Sequence, residues 1–290
     1  MSFGVDVEIA DLESIEDFSF PVFSSRGGSD RARSVAARCD RATAWLASHL
    51  EMPPTPPLFV LGRQDWHRIA LIPQYGLPHA SRRQIVMGQE PSDIWPTMTS
   101  TVWPDLSHSA QERLQDVYGT PPDLGAFADL LVAHEITHLA DNPAWLDERG
   151  PGSETFWGNT PRLLWFVELF ANVGLHGYIC EREPESLPTL ETVFDVIWHT
   201  SPARWPITGL HRMHESATAA DADGTNYVWF EFGLQVLAKH LWEECGATAL
   251  ESMSSTLHGP MLSDDQIVGV LEELDPVVAD SIRSWPSTQI

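Results

Sequence analysis

The hydrophobic pattern of this chain changes character near residue 105, and that change limits the fold more than any other feature. Before it, apolar residues fall in short runs closed by breakers: Pro57-Leu-Phe-Val-Leu-Gly62, Ile69-Ala-Leu-Ile72 and Gln84-Ile-Val-Met-Gly88. Runs of that length between Gly and Pro suit buried strands. After the Trp/Pro-rich stretch 91–105 the period becomes helical, over 107–118, 123–140, 161–180, 188–199, 226–245 and 264–284. One helix belongs to the first half. It starts at Asp30, carries Val35, Ala36, Ala42, Trp45, Leu46 and Leu50 at helical spacing, and is closed by prolines at 53, 54, 56 and 57.

These patterns predict an α+β protein. Residues 1–28, acidic and ending in Ser24, Ser25, Gly27 and Gly28, read as an arm or a single strand. Residues 29–105 read as a small sheet-containing lobe and 106–290 as a predominantly helical lobe, the two forming one cooperative unit. The chain has 290 residues, 43% of them hydrophobic, which is enough to fill a core without cross-links. Cys39, Cys180 and Cys245 lie far apart with no CxxC, so they read as reduced, mostly buried thiols and indicate neither a disulfide framework nor a thiolate zinc site.

The formal charge is −24 and Lys239 is the only lysine, so the basic footprint required by nucleic acid or an anionic membrane is missing. The N-terminal stretch MSFGVDVEIADLESIEDFSF has no basic region, no continuous apolar run and no small-residue cleavage site, and no apolar stretch reaches the ~20 residues of a membrane span. A soluble, cytoplasmic protein is expected.

The chemistry concentrates in Phe127-Ala-Asp-Leu-Leu-Val-Ala-His134-Glu135-Ile-Thr-His138-Leu, set in the strongest helical pattern with Pro121 and Pro122 before it and Pro143 after it. Residues four apart share a helix face, so His134 and His138 can each offer an imidazole nitrogen to one metal, and Glu135 projects beside them toward water. Zinc at a catalytic site takes three protein ligands and leaves one position open. A metzincin would carry Gly and His where this chain has Asp141 and Ala144, so that class is rejected. The candidates for a third ligand are Glu168, His176, His199, His211 and His214. Glu168 sits in Pro161-Arg-Leu-Leu-Trp-Phe-Val-Glu168-Leu-Phe-Ala-Asn172, a helix apolar nearly all round, where a carboxylate is expected to be buried and to need a partner.

At this point the chain resembles the gluzincins, zinc metallopeptidases with HExxH and a glutamate ligand on a later helix. The resemblance covers about residues 30–245, and its specific part is HExxH plus the Glu168 helix. It implies a thermolysin-like zincin core with Zn2+ held by His134, His138 and Glu168, and Glu135 as general base. Asn172 matches the residue that holds the first histidine, but it is an amide where the thermolysin-like pattern has an aspartate, which implies weaker metal binding. The family also implies an oxyanion donor on a later helix. Tyr227, in Gly224-Thr-Asn-Tyr-Val-Trp-Phe-Glu231, is the candidate, with His211 and His214 as alternatives. That stretch loosely resembles the Asn-Tyr-x-Trp helix start of bacterial gluzincin-like proteins of unassigned function. The family further implies an edge strand that pairs with extended substrate, for which Gln84–Gly88 is the candidate.

Two other stretches carry no motif. Asp221-Ala-Asp223-Gly224 lacks the ligand spacing of a calcium loop, and Gly150-Pro-Gly-Ser153 is a turn without the strand-to-helix setting of a nucleophile elbow. The expectation is therefore a zinc-dependent metallopeptidase acting on a peptide or protein. A zinc hydrolase of a non-peptide amide or ester is the alternative within enzymes. A non-catalytic protein with a structural zinc, its fourth ligand His176 or His214, is the alternative outside them.

Overall fold

The computed structural model describes residues 11–140, 164–218 and 223–287. The chain is mixed α/β, with a five-stranded sheet from the first ninety residues and helices thereafter. In chain order the strands are β1 (Glu13–Ile15), β2 (Val22–Ser24), β3 (Leu58–Leu61), β4 (His79–Ser81) and β5 (Gln84–Gly88). They lie in the order β1-β2-β3-β5-β4. β2, β3 and β5 run parallel, and β1 and β4 close the two edges antiparallel.

β3 is apolar at every position because both of its faces are covered. Side chains alternate along a strand, so Leu58 and Val60 face helix α1 (Ser29–Leu46) and join Ala32, Val35 and Cys39 in the main core. Phe59 and Leu61 face the other way and pack with Trp66 and Ile69 of helix α2 (Arg63–Ile69), under Tyr75.

This arrangement corrects three expectations. Residues 13–24 do not form an arm: they fold as the β1–β2 hairpin, with Glu13 opposite Ser24 and Ile15 opposite Val22, and extend the sheet. Ile69–Ile72 is not a strand. Ile69 ends α2, its carbonyl accepts from Gln84 Nε2, and the Ile72 carbonyl accepts from Trp66 Nε1. Trp66 and Ile69 are buried three residues apart, a helical spacing that a four-residue apolar run conceals. The strand in its place is β4, tied to β5 by the Arg82–Arg83 turn. Finally, Gln84–Gly88 is not an edge strand, since β5 pairs with β3 on one side and β4 on the other.

The helical part begins inside the stretch 91–105, with α3 (Ile94–Val102), and continues with α4 (His108–Tyr118). The single helix expected at 123–140 is divided. It comprises α5 (Gly125–Leu130), α6 (Val132–Thr137) and a 3-10 turn at His138–Ala140, joined through Leu131 in right-handed conformation (φ −62°, ψ −13°). Next come α7 (Leu164–Arg182) and α8 (Leu187–Trp198), then α9 (Met213–Thr218) and α10 (Thr225–Cys245). The pattern at 264–284 resolves into α12 (Asp264–Leu274) and α13 (Pro276–Arg283), since Pro276 lacks the N–H to continue a helix. α11 (Ala247–His258), which the sequence pattern did not separate, precedes them. The turn expected at Gly150–Ser153 and Asp221 of the rejected calcium loop lie outside the described residues.

One apolar cluster runs from Ile15 through α1 and the sheet to Ile282 of α13. α6 packs between α1 and α7, and α10 packs along α7. Arg31 of α1 fixes the approach to α6: it forms a two-pronged ion pair with Asp129 of α5 (2.6 and 3.1 Å) and donates to the Gly88 carbonyl of β5 at 2.8 Å. Among the described residues no helix is long and apolar enough to cross a membrane.

Candidate metal centre

Three helices build the centre. α6 and its closing 3-10 turn carry His134, Glu135 and His138, α7 carries Glu168 and Asn172, and α10 carries Tyr227 and Glu231. α6 and α7 can approach because α7 has Gly174 where they touch. A Cβ at that position would lie 2.3 Å from Thr137 Oγ1, well inside van der Waals contact.

The approach brings His134 Nε2, His138 Nε2 and Glu168 Oε2 into one triangle. His134 Nε2 to His138 Nε2 is 3.0 Å, and Glu168 Oε2 lies 3.1 Å from each. The two imidazoles are nearly perpendicular, at 82°. Among the described residues this is the one group of three His, Cys, Asp or Glu side chains whose donor atoms converge as metal ligands would.

Donor chemistry and spacing both fit zinc. Two imidazole nitrogens and a carboxylate oxygen are ordinary zinc ligands, and tetrahedral ligation at ~2.0–2.1 Å separates donors by about 3.3–3.4 Å, a few tenths wider than found here. His134 Nδ1 lies 2.9 Å from Asn172 Oδ1, a carbonyl oxygen that can only accept, so Nδ1 carries the proton and a neutral His134 has a bare lone pair at Nε2. That lone pair faces a carboxylate oxygen and a second imidazole. A cation or shared protons must sit among them, because acceptors do not bond one another.

The electrostatics agree. Glu135, Glu168 and Glu231 surround two imidazoles in a region where Glu135 is 7% and Glu168 5% exposed. Burial raises the Glu135 carboxyl above the usual range, offset in part by His134, His138 and a hydrogen bond from the Ala80 amide of β4. Burial also raises Glu231, and with Glu168 adding to it the carboxyl is pushed up to about 8. For Glu168 burial acts in the same direction, but His138 and His134 outweigh it and hold the carboxyl below the usual range. Burial of these carboxyls is met by protonation, as at Glu231 and Glu135, or by a positive charge beside them, as the imidazoles give Glu168.

The centre lies in a cleft with about 620 Å3 of empty space, its open mouth included, lined by Ile72, Leu77, Pro78, His79, Trp95, Phe127, Leu131, Val228 and Phe232 besides the polar residues. β4 forms one rim, against α6 and the His138 turn. The Ala80 backbone lies close enough to lower the Glu135 carboxyl, which places β4 beside the centre. The edge expected at Gln84–Gly88 is thus β4, one strand further out.

Tyr227 lines the cleft, and burial together with Glu168 and with Glu231, one turn along α10, raises its hydroxyl well above the usual range. His211 and His214 do not line it. His199 caps α8 at an exposed position. His176 is buried elsewhere on α7, 3.7 Å from Glu191, which pairs with Lys239. The cysteines are free, and burial pushes Cys39 up to about 12 and Cys180 up to about 11, so neither supplies a thiolate.

Two groups at the centre were missed by the sequence reasoning. Glu231 is a lone carboxyl in the apolar run Val228-Trp-Phe-Glu-Phe, the same signal that singled out Glu168. The Ala80 amide is a backbone group, and nothing in the sequence marks it. Comparison of the chain with protein-family models, curated proteins and solved structures finds no match. What fold and site define is a mixed α/β protein with a His134/His138/Glu168 group able to hold a metal ion at the floor of a cleft.

Proposed function

We propose that the protein is a zinc-dependent hydrolase of the gluzincin type, a metallopeptidase with a thermolysin-like arrangement of HExxH helix, glutamate helix and edge strand. The observation that carries this reading is the convergence of two imidazole nitrogens and a carboxylate oxygen at 3.0–3.1 Å on the floor of a cleft, with Glu135 beside them. His134, His138 and Glu168 would hold Zn2+, which when bound supplies a Lewis acid that acidifies water and polarises a carbonyl.

The chain's own groups do the rest. Glu135, beside the Ala80 backbone, takes a proton from the attacking water and delivers it to the leaving amine. Asn172 orients His134. The outer side of β4 offers backbone groups to an extended peptide, which would bind with little dependence on side chains. Tyr227, on the wall of the cleft, serves as oxyanion donor. Three donors in an open cleft, with His176 and His214 elsewhere, favour a catalytic over a four-ligand structural site among the described residues. Free cysteines fit work in the reducing cytoplasm.

The test is metal stoichiometry by plasma mass spectrometry on the wild type and Glu168→Ala, followed by peptide-library cleavage with Glu135→Gln as control. One zinc in the wild type, lost in Glu168→Ala, with cleavage that disappears in Glu135→Gln while zinc is kept, is the expected result. A wild type that holds no zinc after incubation and dialysis refutes the reading. Turnover of small amides or esters without peptide cleavage would change the substrate class to a non-peptide one.

A further inference from the structure

A carboxamide can meet a histidine either way round. With its oxygen on Nδ1 it demands a proton there and leaves Nε2 bare; with its nitrogen on Nδ1 it demands the proton on Nε2, which closes that atom to a cation. Nothing within Asn172 itself selects between the two, so the choice belongs to whatever holds the other end of the amide.

That group is Glu231. Asn172 Nδ2 donates to Glu231 Oε2 at 3.0 Å, which turns Oδ1 toward His134 Nδ1 at 2.9 Å. The path crosses three helices, from α10 through α7 to α6, and Asn172 is 1% exposed, so water is not at hand to replace a lost partner. Among the described residues these two bonds are the only ones made by the Asn172 side chain. A carboxyl group keeps an accepting oxygen whether or not it is ionised, so the contact does not require Glu231 to be charged.

We propose that Glu231 is a positioning residue: by holding Asn172 Nδ2 it fixes the carboxamide, keeps His134 in the Nδ1–H form, and leaves Nε2 free to meet a cation beside His138 and Glu168. The final step rests on the zinc reading above, while the tautomer does not. Where a carboxylate in place of Asn172 would orient the histidine directly, this chain divides the task between an amide and a carboxyl on a separate helix.

The experiment uses the full chain as wild type, Glu231→Met and Glu231→Gln. Met fills the space without an acceptor, whereas Gln keeps a carbonyl oxygen for Asn172. Nitrogen-15 NMR of the metal-free proteins, at a pH above the imidazole titration and with His134 assigned through His134→Gln, reads the tautomer. Competition with a chromophoric chelator reads zinc affinity. In wild type and Glu231→Gln the proton is expected on Nδ1. In Glu231→Met it is expected to populate Nε2, with zinc binding weakened about 10- to 100-fold, the usual cost of losing an outer partner of a ligand. The inference is overturned if Glu231→Met keeps the wild-type tautomer, whatever its zinc affinity, or if Glu231→Gln falls as far as Glu231→Met. A wild type that takes no zinc while Glu231→Met still shifts the tautomer supports the positioning role and removes the zinc reading instead.

Discussion

Replacing Gly174 by Ala asks whether the crossing of α6 and α7 sets the metal centre. The added methyl would stand 2.3 Å from Thr137 Oγ1, 2.6 Å from its Cγ2 and 2.9 Å from its Cβ. Rotating Thr137 moves the first two atoms but not the third, and a β-branched residue has few rotamers to use. The helices must therefore move apart. Overpacking of this kind costs about 1–3 kcal/mol, against which Ala regains about 1 kcal/mol of helix propensity over Gly, leaving a net loss of up to about 2 kcal/mol. For a chain of this size that is a fall in Tm of up to roughly 4 °C. The larger effect is on the site, because Thr137 adjoins His138 and Gly174 shares a helix with Glu168. Metal sites tolerate only a few tenths of an ångström, so zinc affinity should fall about tenfold or more. The assays are urea denaturation and chelator competition on Gly174→Ala, Thr137→Ala and the double variant. Thr137→Ala alone loses the hydroxyl bond to the Ala133 carbonyl and a buried methyl, at about 2 kcal/mol. In the double variant the two losses should not add, since the atoms in collision are largely gone. A Gly174→Ala protein as stable as wild type with unchanged zinc affinity, or strictly additive losses, would refute this account of the crossing.

Two further outcomes are expected. Glu183 receives Arg38 at 2.9 Å, Arg41 at 2.7 Å and the Tyr178 hydroxyl at 2.6 Å, and although burial raises its carboxyl, these partners bring it down to about 2. A lowered folded pKa gives stability that is complete above the unfolded value of ~4.3 and is lost as pH falls toward the folded one. Discounted for solvent screening, about 1–2 kcal/mol of the wild-type advantage over Glu183→Gln should vanish between roughly pH 5 and pH 2. Urea midpoints measured across that range check this, and a gap that does not change with pH counts against it. Zinc at about a hundred times its Kd should add about 2.7 kcal/mol to stability through linkage. Thermal scans with and without chelator should differ by several degrees in wild type and coincide in Glu168→Ala; equal shifts in both would place the metal elsewhere.

Much of the helical framework was legible in the sequence because helical periodicity is a local property. α1, α4, α7, α8 and α10 begin and end within a few residues of their apolar patterns. The i, i+4 relation of His134 and His138 is equally local, and so is the isolation of Glu168 among Trp165, Phe166, Leu169 and Phe170. Short apolar runs were less informative. Ile69–Ile72 and Leu58–Leu61 look alike as strings, yet one closes a helix and the other lies at the centre of the sheet, because long-range pairing decides between them.

The sequence alone determined which residues could share a helix face, which carboxyls an apolar helix would have to bury, and that acidic residues outnumber basic ones by 41 to 17. Tertiary structure decided that Glu168 meets both histidines, that β4 and not β5 lies at that edge of the sheet, and that Glu231 stands behind Asn172. These are distances between elements far apart in the chain. They are set by how closely surfaces pack, as where Gly174 admits Thr137, and strand order likewise follows from pairing that no local window contains.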